Sequence, residues 1–224
     1  MDPDGRGALP FRTTIAGGLV SISTVLAIVG LTIALFFNPV WIGFAQERAD
    51  VPALTGYTDE QVRAATGSIL ADIFVGPPVF AVAVANEPVF GETERSHMVD
   101  VHQVVRMFAA LVAIAVLALL VMVWPNRRRA WVWRAVARGS LALALAGVVI
   151  GVAVVFFFDA AFLAFHLVFF PQGNFLFDPR TQRLTALFPE QLFTETAIAL
   201  ALSGIAVAVA VMFLARRAAR GAVA

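Results

Sequence analysis

The chain has 224 residues, 60% of them hydrophobic and 14% charged, with a net charge of +1 and a mean hydropathy of +0.86. A soluble domain is about 45–50% apolar and about 25% charged, so this composition excludes an ordinary soluble fold and describes an integral membrane protein. Cysteine and lysine are both absent, which excludes a disulfide framework, a thiolate nucleophile, a Cys-ligated metal and lysine-based covalent chemistry.

Met1 to Arg12 is short and polar. Thr13 to Phe37 is apolar and long enough to cross a bilayer, which takes about 20 residues. A signal peptide has an apolar core of about 7–15 residues, so this span reads as an uncleaved anchor. Its Ser21, Ser23, Thr24 and Thr32 read as hydroxyls bonded back to the helix or packed at a helix contact. Asn38-Pro39 ends it.

Residues 38–92 form the longest stretch without a span, and they are acidic. Thr58-Asp59-Glu60-Gln61 fits a capping box, so a short helix is expected from about Asp59 to Phe74, stopped by Gly76-Pro77-Pro78. Val79 to Ala85 is apolar but too short to span, and reads as either strand-like or surface-lying.

Thr93 to Trp124 reads as a helix with a polar start and an apolar remainder, closed by Pro125-Asn126. A basic loop follows, with Arg127, Arg128, Arg129, Arg134 and Arg138 around Trp131 and Trp133. Gly139 to Phe165 is the third span. Turn signals at Pro171, Gly173-Asn174 and Asp178-Pro179 mark the next loop. Pro189-Glu190 suits a helix start, and Ala197 to Leu214 is the fourth span, ended by Arg216, Arg217 and Arg220.

The expected fold is therefore all-α, one membrane domain over residues 1–224. It has about four transmembrane helices, at about 13–37, 102–124, 139–165 and 195–215. Both termini and the arginine loop are basic and are expected in the cytoplasm. Segments 38–101 and 166–194 are then extracytoplasmic, forming a small cap with one short helix.

The stretch from Phe158 to Phe170 holds Asp159 and His166 among phenylalanines. The two are seven residues apart, on nearly one helix face and about 10 Å apart along the axis. Ionisable groups at membrane depth point to function. His97 and His166 lie at the outer ends of antiparallel spans, so they are expected at similar depth. Asp100 shares the His97 face; His102 and Arg106 share the opposite one and read as facing headgroups. Asp159 needs a partner of its own: depth favours Arg106 and helix face disfavours it; the alternatives are a protonated Asp159 or a bond to Ser21, Ser23 or Thr24. It is read as a structural support of the His166 helix.

His97, Asp100, His102 and His166 are residue types that zinc accepts, but His97 and His102 are five apart and no His-Glu-x-x-His occurs. No metal and no cofactor is assigned, and no nucleic-acid partner. A non-enzymatic or metal- or haem-binding membrane protein, or another lipid-acyl hydrolase, stays open at this point.

Several motifs then fall in order: Glu94-x-Ser96-His97-Met98-x-Asp100-Val101, Phe158-Asp159-x-x-Phe162-x-x-Phe165-His166-x-x-Phe169-Phe170, Phe177-Asp178-Pro179-x-Thr181-x-Arg183-Leu184, and Leu187-Phe188-Pro189-Glu190-x-x-Phe193. Together they resemble a bacterial four-helix membrane family that contains lipoprotein intramolecular transacylases, over essentially the whole chain. Where the family carries an aromatic, usually Trp, after the Asn of the second outer loop, this chain has Phe175. The resemblance implies a plasma-membrane enzyme with its site on the extracytoplasmic side. It implies movement of the sn-2 acyl chain of a diacylglyceryl-cysteine lipoprotein to its N-terminal amine. The partners implied are the diacylated lipoprotein N-terminus and membrane lipids. His97 and His166 match the two histidines the family needs for activity; Ser96, Asp100 and Asp159 are the supporting residues.

Overall fold

The computed structural model describes residues 8–222, with side chains from residue 14. Residues 1–7, with Arg6, lie outside the described residues, as does the side chain of Arg12. The elements in order are α1 (Ala8–Phe36), α2 (Pro39–Arg48), α3 (Val51–Thr55), α4 (Asp59–Phe74), β1 (Ala83–Val84), β2 (Glu87–Pro88), α5 (Glu92–Asn126), α6 (Ala130–Phe156), α7 (Phe158–Phe169), α8 (Arg183–Leu187) and α9 (Glu190–Gly221). Among the described residues, four helices are long and apolar enough to cross a membrane: Thr14–Phe36, Glu92–Asn126, Ala130–Phe156 and Glu190–Gly221. The chain divides into two compact units, one of residues 1–32, 109–150 and 201–224, the other of residues 33–108 and 151–200.

In the first unit, helices meet through small residues and hydroxyls. A Cβ at Gly139 would overlap the Ser21 carbonyl oxygen, and one at Gly30 would lie 2.5 Å from Val112 Cγ1. Glycine lets the α1 and α6 backbones approach at Gly139 and lets the Val112 side chain seat against α1 at Gly30, a device that suits helices with no hydrophobic drive toward one another. The Ser21 hydroxyl is shared between the Gly17 carbonyl (2.9 Å) and the Ala135 carbonyl (2.8 Å). Thr24 and Thr32 bond back to their own helix through Val20 and Ile28. Ser140, fully buried, does the same through Val136.

The second unit has an apolar core around Ile69, Phe80, Leu187 and Leu192. Asn38 caps α2, accepting from the Val40 and Trp41 amides, with Pro39 in the first turn. The capping box at Thr58 and Gln61 is complete and opens α4. Residues 39–74 thus hold three helices where one was expected. The missed α2 and α3 are short, and their apolar faces are filled by distant segments. Buried Gln46, for example, bonds the Thr66 hydroxyl and the Leu187 carbonyl, each at 2.9 Å. The stretch after α4 is strand-like: β1 pairs antiparallel with β2 around Ala85 and Asn86, both at positive φ, the conformation of a tight hairpin turn. Fully buried Phe80 is held at φ 49° while its amide donates to Asp72 Oδ2 at 2.7 Å.

Two expectations need correction. The basic stretch 130–138 is helix, because α6 begins at Ala130. Hydropathy marks where the apolar stretch starts, whereas arginine and alanine are both good helix formers and carry the helix outward. The third span is also not continuous to Phe165. It breaks at Phe157 (φ −140°, ψ 44°), and a separate α7 carries the phenylalanine-rich stretch.

Candidate active site

The site is built in the second unit from the start of α5, from α7 and from the loop after α7. Glu94 fixes the first of these. Its carboxylate is buried and accepts from the Gly91 amide through Oε2 and from the Leu184 amide through Oε1, each at 2.8 Å. One side chain thereby closes the first turn of α5 and ties it to the start of α8. His97 follows three residues later on α5.

The structure brings His97 and His166 together. Both are buried, and their rings stack with centroids 6.0 Å apart and planes 23° from parallel. Phe170 touches both rings, at 4.7 Å from His97 and 5.5 Å from His166. Phe162 and Phe175 cover other sides of His166 at 4.0 and 4.9 Å, and Phe177 meets His97 edge-on at 5.4 Å. Phe175 thus fills the place of the aromatic expected after Asn174.

The tautomer of His166 follows from its contacts. Nδ1 lies 2.8 Å from the Phe162 carbonyl. A carbonyl only accepts, so Nδ1 carries the proton and Nε2 keeps the lone pair of the neutral ring. Burial pushes the His166 pKa below its ordinary value, opposed in part by that carbonyl.

Asp100 is partly buried and accepts from two amides, Gln172 Nε2 at 2.6 Å and Asn174 Nδ2 at 2.7 Å. Asn174 Nδ2 also reaches the Ser96 hydroxyl at 3.3 Å. Gly173 between the two amides has φ 80°, a backbone angle that glycine adopts at no steric cost. That turn lets Gln172 and Asn174 converge on one carboxylate. With its NH₂ group so used, Asn174 presents its carbonyl Oδ1 inward. Among the described residues, Asn174 Oδ1 and His97 Nδ1 are the buried side-chain polar atoms without a hydrogen bond. The Asn174 side chain lies beside His97, at the edge of hydrogen-bonding geometry.

The other expected site residues lie apart. His102 does not face headgroups. It is buried, and its Nδ1 lies 3.0 Å from the Asp72 carbonyl and 2.9 Å from the Ile73 carbonyl. It satisfies the last turn of α4, a contact set by a distant element and invisible to helix-face geometry. Asp159 is exposed in the first turn of α7, and Arg106 is exposed on α5. No Arg106–Asp159 pair forms, and Ser21 is committed elsewhere. Asp159 and His166 do share one unbroken helix, α7, but both Asp159 and Arg106 are exposed, so neither depends on a buried partner.

Sequence reasoning missed Asn174, Gln172 and the task of Glu94. The signal for the first two was present: a glycine flanked by two amides in a loop facing an acid three residues after a histidine.

The family model of the lipoprotein intramolecular transacylase Lit matches residues 18–193. Among curated protein sequences none matches. The chain is similar in fold to the membrane integral lipoprotein intramolecular transacylase Lit from Bacillus cereus, with TM-score 0.78 at 16% identity over 94% of this chain and 97% of that one. A histidine-to-arginine variant of that protein gives TM-score 0.73 at 17% identity, covering 97% of each chain. A histidine-to-alanine variant gives 0.75 at 16% identity, covering 97% of this chain and 98% of that one. At these identities the structural likeness establishes the fold, and the sequence match, which takes in most of the chain, establishes the family. This multi-pass membrane protein, with its two stacked histidines, belongs to the lipoprotein intramolecular transacylase Lit family of enzymes.

Proposed function

We propose that the chain moves the sn-2 acyl group of a diacylglyceryl-cysteine lipoprotein from glycerol oxygen to the cysteine α-amine, at the extracytoplasmic face, with His97 and His166 as the catalytic residues. The carrying observation is the stacked histidine pair, 6.0 Å between ring centroids and enclosed by phenylalanines.

The proton inventory of the reaction suits two imidazoles. An α-amine has a pKa near 8 and arrives largely as an ammonium. To end as an amide, its nitrogen loses two protons. One goes to the departing glycerol oxygen and one to solvent. Two neutral imidazoles with free Nε2 lone pairs accept one proton each. His166 is in that state because its Nδ1 is bonded to the Phe162 carbonyl. His97 reaches it when the Asn174 carbonyl takes its Nδ1–H.

In this reading His97 takes the ammonium proton. The free amine attacks the ester carbonyl, and the C–N bond forms. His166 takes the second proton from the attacking nitrogen. The C–O bond to glycerol then breaks, and the His97 imidazolium protonates the alkoxide. Asp100, bonded to the Asn174 amide, favours that imidazolium electrostatically. Both reactants belong to one substrate, so holding them in register supplies much of the acceleration.

Mass spectrometry of lipoprotein N-termini, from cells with and without this gene, tests the reading. The acyl chain should appear on the amine only when the gene is present. An unchanged N-terminus would refute it. Reporter fusions test the orientation: fusions after Pro77 or Gln172 should be exported, and one after Arg129 should stay inside.

A further inference from the structure

Four arginines line one cleft of the first unit, far along the chain from the histidines. Arg134 and Arg138 come from α6, Arg216 and Arg220 from α9, with Trp131 and Leu141 in the same wall and a volume of about 600 Å³. Each pair is spaced i, i+4, where like charges repel. None of the four has a hydrogen bond or ion pair among the described residues. Solvated arginines would splay apart, yet Arg138 lies against α1, where a Cβ on Gly17 would be 3.1 Å from its Nη2. Arg138 is the last residue before the apolar stretch of α6 that begins at Gly139, so the cleft lies at the edge of the span.

We infer that this cleft binds the headgroup of an anionic phospholipid. A phosphodiester accepts paired N–H bonds from guanidinium forks, and one such anion would relieve four cations together. The wall selects a lipid over a free phosphate. Leu141 opens an exposed apolar stripe that continues through Leu145, Val148 and Val149 on α6, at the i, i+4, i+7, i+8 spacing of one helix face. A headgroup seated among the arginines has that face for its acyl chains. Trp131 suits the boundary between the two environments. The bound lipid would link α6 to α9, and its role is independent of the acyl-transfer chemistry.

The test uses the full chain, delipidated in a neutral detergent, and measures lipid retention by native mass spectrometry with thermal melting. The probes are dioleoyl-phosphatidylglycerol, dioleoyl-phosphatidylcholine and glycerophosphate. Phosphatidylglycerol should bind and raise the melting temperature, and the other two should not. Arg138→Gln and Arg216→Gln should each weaken retention about fivefold, the effect of one basic residue at an anionic surface. Arg220→Gln, at the solvent end, keeps the test open should a deeper variant fold poorly. Arg127→Gln, outside the cleft, should change nothing. Equal binding of both lipids, equal stabilisation by glycerophosphate, or equal loss in the Arg127 variant would each overturn the inference.

Discussion

The first unit and the surroundings of the histidines hold their helices by opposite means. Around Gly139 the helices touch backbone to backbone and around Gly30 backbone to side chain, with glycine where any Cβ would collide and hydroxyls bonded to carbonyls. Around His97 and His166 the gaps are filled by Phe162, Phe170, Phe175 and Phe177, with a small polar network of Ser96, Asp100, Gln172 and Asn174 to one side. The first arrangement leaves no room and gives rigidity. The second leaves His166 Nε2 and both ring nitrogens of His97 without a hydrogen bond to a protein group. A scaffold is recognised by what cannot be enlarged, and a site by what has been left unsatisfied.

The largest effects should come from the histidines. His97→Ala or His166→Ala should lower acyl transfer by about 10²–10⁴-fold, the usual worth of a positioned acid–base group, with protein level unchanged. Mass spectrometry of the product and immunoblotting of the membrane fraction check both halves. The pH profile sharpens the assignment. Burial holds the His166 pKa below its ordinary value, near 6.5 for a free imidazole. A lowered pKa keeps the ring neutral to more acid pH, so its acid limb should fall below that value. Phe175→Ala exposes the ring and should move the limb upward.

On the other side of the comparison, Gly139→Ala should act on stability alone. Its Cβ overlaps the Ser21 carbonyl oxygen, which belongs to backbone and yields little. Overpacking of this kind costs about 1–3 kcal/mol. The expected result is a lower melting temperature and yield, with normal activity per folded molecule. Reduced specific activity at full stability would contradict the division drawn between the two regions.

Asn174 and His102 give smaller, opposed effects. Asn174→Leu removes the donor to Asp100 and the carbonyl proposed to take the His97 Nδ1 proton, which lies beside it unbonded. A hydrogen bond of this kind is worth about 1–3 kcal/mol, or about 5- to 150-fold in rate. The loss should fall on turnover, and Asn174→Gln, which keeps both an amide oxygen and an NH₂ donor, should recover part of it. His102→Ala strips the two carbonyls at the end of α4, so it should lower the melting temperature and leave turnover nearly intact. Equal turnover losses in the Asn174 and His102 variants would remove the distinction between a positioning and a structural contact.

How much of this was legible depends on range. The capping box at Thr58 placed α4 from Asp59 to Phe74, because both partners are local. The four apolar stretches were legible because bilayer thickness sets a length that any 20-residue window reveals. The meeting of His97 and His166 followed from antiparallel spans and depth. The break at Phe157 left no trace, since Phe156, Phe157 and Phe158 are alike in hydropathy. His102 was placed on the correct face, away from His97, but what occupies that face is α4, thirty residues earlier. Buried polar contacts between distant elements have no sequence period, so they are where such a reading fails.

Asp159 should show the smallest effect, and its case turns on its exposure. It sits two turns from His166 along α7, and at membrane depth it would need a buried partner. Then Asp159→Leu would cost protein yield. In the structure it is exposed, in the first turn of α7, and no described residue bonds to it. The residue before α7 provides no side-chain cap, so the first-turn amides lack acceptors from that side. A carboxylate there complements the positive end of the helix, worth about 0.3–1 kcal/mol. Asp159→Asn should therefore cost at most that much stability and retain nearly full transfer activity. Asp159→Leu should lower yield only slightly, contrary to the expectation of a buried carboxylate. Thermal melting and product mass spectrometry on the same preparations decide it. A well-folded Asp159→Asn protein with no activity would make the charge itself part of the chemistry, and would move the electrostatic centre of the site from Asp100 to α7.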